Sequence, residues 1–211
     1  HTTWVNVDGV HDKELIEEIG RQAQLHPLLL EEIMNTYVRP KFEDHGNRLY
    51  FNLKMLGVSP NRNEIIAEQV GIILGHNFVI SFQEKEGDLF EPLRDRLREN
   101  KGLLRVKPVD YFFYRLVDTI VDNYFLVFEN ITERTEELEK QVLESATPEL
   151  LKEIQKVKKT LIRIRRMTMP LREAVSSLYK EDSLMISADT KNFIRDVYDH
   201  LMQLIESGES Q

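Results

Sequence analysis

Two long runs of helical periodicity, set back to back with a two-residue break between them, dominate the second half of this sequence. From Val109 to Ser145, apolar side chains recur in steps of three and four: Phe113, Leu116, Val117, Ile120, Tyr124, Val127, Phe128, Ile131, Leu138 and Val142. From Pro148 to Tyr179 the spacing returns in Leu151, Ile154, Val157, Leu161, Ile164, Leu171, Val175 and Leu178. Such spacing lays one apolar stripe along an α-helix. Between the runs, Thr147-Pro148-Glu149 reads as an N-cap with proline at the first helical position, where its missing N–H costs nothing. So short a turn folds the second helix back along the first, antiparallel. The charges agree with that pairing. Residues 118–150 carry nine acids against two bases, net −7, and residues 151–182 nine bases against four acids, net +5. Each exposed contact is worth only ~0.2–1 kcal/mol, so charge orders the pair more than it holds it. Pro170 lies inside the second run and predicts a kink or a break there.

The first hundred residues read as mixed α and β. Thr3-Trp4-Val5-Asn6-Val7 looks like a short strand closed by Asp8-Gly9. Residues 11–24 place Leu15, Ile16, Ile19 and Ala23 at helical spacing. Pro27 can open a second helix carrying Leu28, Leu29, Leu30 and Ile33, which fades by Tyr37. Three strands follow: Leu49 to Leu56, Ile65 to Leu74, and Asn77 to Gln83, where Phe78, Ile80 and Phe82 alternate with Val79, Ser81 and Gln83. Ser59-Pro60-Asn61 and Gly75-His76-Asn77 supply turns. Leu89 to Asn100 reads as a helix stopped at Gly102. After the hairpin, Ser183 to Asp189 is a polar link, and Asp189 can cap a last helix from about Thr190.

Composition narrows the function classes. The net charge of −8 argues against nucleic acid and for cations or basic partners. There is no cysteine, hence no disulfide and no thiolate metal site. No apolar run approaches the ~18 residues of a membrane span. Together these fit a soluble piece from a reducing compartment. The ending soon after the last helix fits a fragment of something longer. The nucleophile elbow, the phosphate-binding glycine loop and H-E-x-x-H are all missing, and the histidines (1, 11, 26, 45, 76 and 200) include no zinc-type pair. A binding role is expected rather than an enzyme.

The carboxylates carry the chemistry. Asp196, Asp199 and His200 fall on one face of the last helix, beside an apolar stripe of Phe193, Val197, Leu201 and Leu204. Glu31-Glu32 follows His26-Pro27 on another helix. Magnesium and similar hard cations take oxygen ligands and keep several waters, so one or two carboxylates make a site. The plainer alternative is a solvated acidic surface, with His200 a structural residue. Asp118 differs from the rest: it sits between Leu116-Val117 and Ile120-Val121, where a carboxylate needs a partner or a cation.

These strings resemble a family. W-V-N-V-D-G-V-H, H-P-L-L-L-E-E-I, R-P-K-F-E-D, E-Q-V-G-I-I-L, F-Q-E-K-E-G-D, M-P-L-R-E-A-V-S-S-L-Y and F-I-R-D-V-Y-D-H, in that order from Trp4 to His200, are similar to the cytoplasmic domain of CorA magnesium transport proteins. The resemblance implies an α+β fold: an α/β/α sandwich over residues 1–106, a long antiparallel helical hairpin over 107–182, and over 183–211 the start of a stalk helix leading to a transmembrane segment that this chain lacks. It implies a homopentamer around a pore on the cytoplasmic face of the inner membrane, with monomer or weak oligomer expected of the fragment, and a first metal site between subunits. Glu32 matches the acid on one subunit, in place of the Asp of many relatives, and Asp196 its partner on the next. Glu31, Asp118 and His200 match a second site, completed by backbone from a missing N-terminal region. Magnesium, or else cobalt or nickel, would be the regulatory ligand that gates the pore. Three other readings stay open: the same fold in a zinc transporter, a helical protein-interaction module without metal sensing, and a metal-dependent hydrolase.

Overall fold

A computed structural model of the chain describes residues 2–58 and 65–209, the last two without their side chains. The turn expected at Ser59-Pro60-Asn61 lies outside the described residues. In chain order the elements are β1 (Thr3–Asp8), α1 (Lys13–Ala23), α2 (Pro27–Met34), β2 (Lys41–Asp44), β3 (Leu49–Val58), β4 (Ile65–Leu74), β5 (Phe78–Gln83), α3 (Glu91–Arg98), α4 (Val109–Glu144), α5 (Pro148–Lys180) and α6 (Ala188–Glu209). The strands form one sheet in the order β1-β5-β4-β3-β2, with β1 parallel to β5 and every other pair antiparallel.

Alternation along the strands explains the layering. On β3, Leu49, Phe51 and Leu53 point into one apolar cluster while Tyr50 points into another. The Tyr50 cluster includes Val7, Ile73, Ile80 and Phe82 and is roofed by Ile16 of α1 and Leu29, Leu30 and Ile33 of α2. The opposite cluster adds Val70, Ile72, Leu74 and Val79 and continues without interruption into α3, α4, α5 and α6. The result is an α+β fold with an α/β/α sandwich at its base. Gly71 serves the first face: a Cβ there would sit 3.2 Å from the Tyr50 ring.

Helix boundaries follow local capping. Asp12 accepts from Leu15 N at 3.1 Å to open α1, and Gln24, at φ 54°, closes it in the left-handed region. His26 Nδ1 accepts from Leu28 N at 3.2 Å ahead of Pro27. Helix α2 stops at Met34, three residues short of the expected Tyr37, because Asn35 turns extended. Helix α3 is shorter at both ends than the Leu89–Asn100 expectation, since Asn100 is left-handed at φ 53°. Ser187, not Asp189, caps α6: its hydroxyl accepts from Thr190 N at 3.3 Å, and Asp189 lies within the first turn. Strand β2 has no counterpart in the expectations drawn above.

The hairpin is antiparallel. Arg134 of α4 meets Glu153 of α5 at 3.7 Å near the turn, and farther from it Phe128 shares an apolar depression with Leu161 and Thr168. That ion pair runs against the charge bias of the two helices, its base on the acidic helix and its acid on the basic one. The apolar stripes therefore hold the hairpin. Helix α6 runs parallel to α4, since Tyr114 stacks on Phe193 (5.3 Å between centroids) and Phe125 meets His200 (6.1 Å). Helix α5 continues through Pro170 without the predicted break. The Arg166 carbonyl loses its helical donor there, but Arg166 is exposed and water can replace it. Beyond the proline, Leu171, Ala174, Val175 and Leu178 are buried and hold the continuation in place.

Two hydrogen bonds dock α4 on β3: Tyr124 Oη donates to the Lys54 carbonyl at 2.7 Å, and Asn123 donates to that of Leu56. Buried Asp110 accepts from Ser187 N at 2.7 Å and ties the start of α4 to that of α6. Among the described residues, no helix is long and apolar enough to cross a membrane.

Candidate functional site

Helix α6 turns Val197, Leu201 and Leu204 into the core and leaves Asp196, Asp199 and His200 exposed, as the spacing predicted. Asp199 has Arg195 one turn back at 3.9 Å. The Asp196 side chain makes no hydrogen bond or ion pair among the described residues. His200 meets the Phe125 ring edge-on.

Asp118 is buried on α4, and its partner is a side chain after all. Arg115 donates to its Oδ2 at 2.8 Å and Tyr114 Oη at 3.2 Å. Burial, reinforced by the Asp122 charge, raises the Asp118 carboxyl above the usual range; Arg115, Tyr114 and His200 oppose that rise without cancelling it. Tyr114, one turn before Asp118, stacks on Phe193, and Phe125, two turns beyond it, meets His200, so Asp118 and His200 lie along the same α4–α6 contact. Glu31 is exposed on α2 and does not join them.

Glu32 sits in a denser environment. Its side chain is 20% exposed, and Lys41 Nζ of β2 lies 2.5 Å from Oε2. Glu32 Oε1 is buried with no hydrogen-bond partner. Lys41 also holds Glu43 Oε1 at 2.7 Å, and the other Glu43 oxygen faces His45 Nε2 at 3.2 Å. Burial works against the Lys41 ammonium, but the bonds to Glu32 and Glu43 outweigh it and raise its pKa. Burial likewise pushes Glu43 upward, and Lys41 more than reverses that, leaving its carboxyl below the usual range. Tyr50 pairs with Glu43 across the strands, and its buried hydroxyl also lacks a partner; burial, with Glu32 and Glu43 nearby, drives its pKa far up.

Sequence reasoning missed Lys41, Glu43 and His45. Their spacing of two puts Lys41 and Glu43 on one face once residues 41–44 are read as a strand, with His45 just beyond its end, but so short a strand gives no sign of itself in the sequence.

Among the described residues, no three His, Asp or Glu side chains gather closely enough to hold an ion. Glu32 lies on α2, over one face of the sheet, and Asp196 on α6, in the helical layer on the other. The donors nevertheless suit magnesium. A buried carboxylate oxygen without a partner and an exposed unpaired carboxylate are hard ligands with free lone pairs, and there is no thiolate to favour a softer ion.

A mixed sheet under long helices, with acids displayed on separate layers, places the chain in a class of domain that solved structures share. The soluble domain of CorA from Methanocaldococcus jannaschii superposes with a TM-score of 0.81 over 94% of this chain and 79% of its own, at 16% identity. The cytoplasmic domain of ZntB from Vibrio parahaemolyticus does so at 0.72 over 98% of this chain and 83% of its own, also at 16% identity. In sequence, the cobalt/magnesium transport protein CorA of Thermotoga maritima is 40% identical over 208 residues, which are 99% of this chain and 59% of that protein. The model of the CorA-like Mg2+ transporter family matches residues 1–211, and the chain belongs to that family. It spans about three-fifths of the Thermotoga protein's length.

Proposed function

We propose that this chain is the divalent-cation-sensing part of a CorA-type magnesium transporter, on the cytoplasmic face of the cell membrane, and that it binds Mg2+ between neighbouring subunits of a homopentamer. Glu32 of one subunit and Asp196 of the next hold the ion through its water shell. The observation that carries this reading is the placement of two carboxylates with unused acceptor capacity on opposite faces of one sheet. An ion that uses both must be shared between chains. Glu31, Asp118 and His200 form the weaker second candidate, because Arg115 and Tyr114 already occupy Asp118. Asp199 contributes negative potential beside Asp196.

Without the ion, facing carboxylates on chains of net −8 repel. Magnesium removes that repulsion and draws subunits together. If the closed arrangement binds the ion better, rising magnesium shuts the pore, by no more than the differential affinity summed over sites. Few direct ligands imply sites of about 10⁻⁴–10⁻³ M. The test is magnesium-dependent protection of the intact protein from limited proteolysis. Asp196→Ala should abolish it, and unchanged protection would overturn the assignment. Protection by zinc but not magnesium would move the reading to a zinc transporter.

A further inference from the structure

Glu32 already has a counter-cation within its own chain, one that it shares with Glu43, so the cluster as a whole stays negative. We propose that Lys41 is a resident counter-cation for Glu32, displaced toward Glu43 when a divalent ion binds, so that the Lys41–Glu43 pair sets the ion concentration at which the site fills. This rests on the Glu32–Asp196 reading above and concerns how that site is tuned.

Three observations carry it. Lys41 Nζ lies between two carboxylates, 2.5 Å from Glu32 Oε2 and 2.7 Å from Glu43 Oε1. The ammonium therefore has a second seat in place, and leaving Glu32 does not strand a charge. The two oxygens of Glu32 are unequal: Oε2 is taken, while Oε1 is buried and unpartnered. Such an atom is costly to leave unmade and favours an incoming donor or cation. Glu43 is itself braced by His45 at 3.2 Å, which keeps the second seat in position.

Two positive charges beside one carboxylate repel, so ion and ammonium compete for Glu32. In the ion-free chain Lys41 satisfies one oxygen of the acid, Oε2. When an ion arrives, the lysine shifts its weight to Glu43. Competition of this kind raises the concentration needed for half-filling without altering the ligands. Lys41 is thus a positioning residue that acts through Glu32.

The measurement is the MgCl2 concentration giving half-maximal protection of the intact protein from limited proteolysis, with magnesium calorimetry on the same preparations. Lys41→Met should lower that concentration about three- to fivefold, the worth of one partly exposed ion pair. Lys41→Arg keeps the charge and can grip both oxygens of Glu32, so it should raise the concentration. Glu43→Gln weakens the second seat and should also raise it. A merely structural lysine predicts the same direction for all three, through lost stability, which thermal melts would record. Opposite shifts for Lys41→Met and Glu43→Gln support the proposal. No shift, or shifts of one sign, overturn it while leaving the Glu32–Asp196 site standing if Asp196→Ala still abolishes protection. Full protection in Asp196→Ala overturns the site and this inference with it.

Discussion

Tyr50 runs against the usual rule for a buried tyrosine. Its ring fills the space that Gly71 leaves, but its hydroxyl is enclosed without a partner, near the Glu32 and Glu43 carboxylates. A hydroxyl taken out of water and left unbonded costs about 1–3 kcal/mol. Tyr50→Phe keeps the ring and removes the penalty, so it should stabilise the chain by about 1 kcal/mol. Urea unfolding of the two proteins side by side checks this, and a loss of stability would mean the hydroxyl has a partner in solution. At this scale the sequence was legible in part. The exposed acids of α6 followed from their steps of three and four against Val197, Leu201 and Leu204. The grip of Lys41 on Glu32 did not, because a contact across nine positions, from helix to strand, leaves no periodic trace. The expectation that Asp118 needs a partner or a cation is met by Arg115, three residues back on the same helix.

Among the elements, β2 and α5 show where pattern reading reaches its limit. Strand β2 is four residues long, lies at the sheet edge and contains one apolar side chain, Phe42. Edge strands tolerate charge and shortness because only one side is paired, so Lys41-Phe42-Glu43-Asp44 has no core-facing alternation to detect. In α5, tertiary burial beyond Pro170 overrode the local penalty for proline. The long helices were plain, because many turns of one stripe outweigh any single residue. Their turn depends on a cap: Thr147 Oγ1 accepts from Leu150 N at 3.2 Å. Around it Leu143 and Leu151 are exposed at 88% and 60%, so little apolar burial supports the tip. Thr147→Ala should cost about 1 kcal/mol, and the loss should be local. Hydrogen exchange should speed up at the end of α4 and the start of α5, with sheet amides unchanged. Faster exchange throughout the sheet would contradict that separation.

Across the whole molecule, the sheet and the helix that carries Asp196 share one continuous core. Phe51 of β3 touches Phe113 of α4, Tyr114 of α4 stacks on Phe193 of α6, and Val197, Leu201 and Leu204 close the same cluster. Packed side chains therefore connect the helix that carries Asp196 to the sheet. Trp4, the single tryptophan, reports from the far end of that core, where its ring lies 5.1 Å from Phe112 and 5.9 Å from Phe90. Leu201 is fully buried. Leu201→Ala should remove about 2–5 kcal/mol, the transfer loss plus the cavity it leaves. If the core is one unit, the midpoint of Trp4 fluorescence should fall by the same amount as the helical signal in far-ultraviolet circular dichroism, because both record one transition. Two separated midpoints would mean that α6 melts alone, and the acid it carries would then be free to move without any response from the sheet.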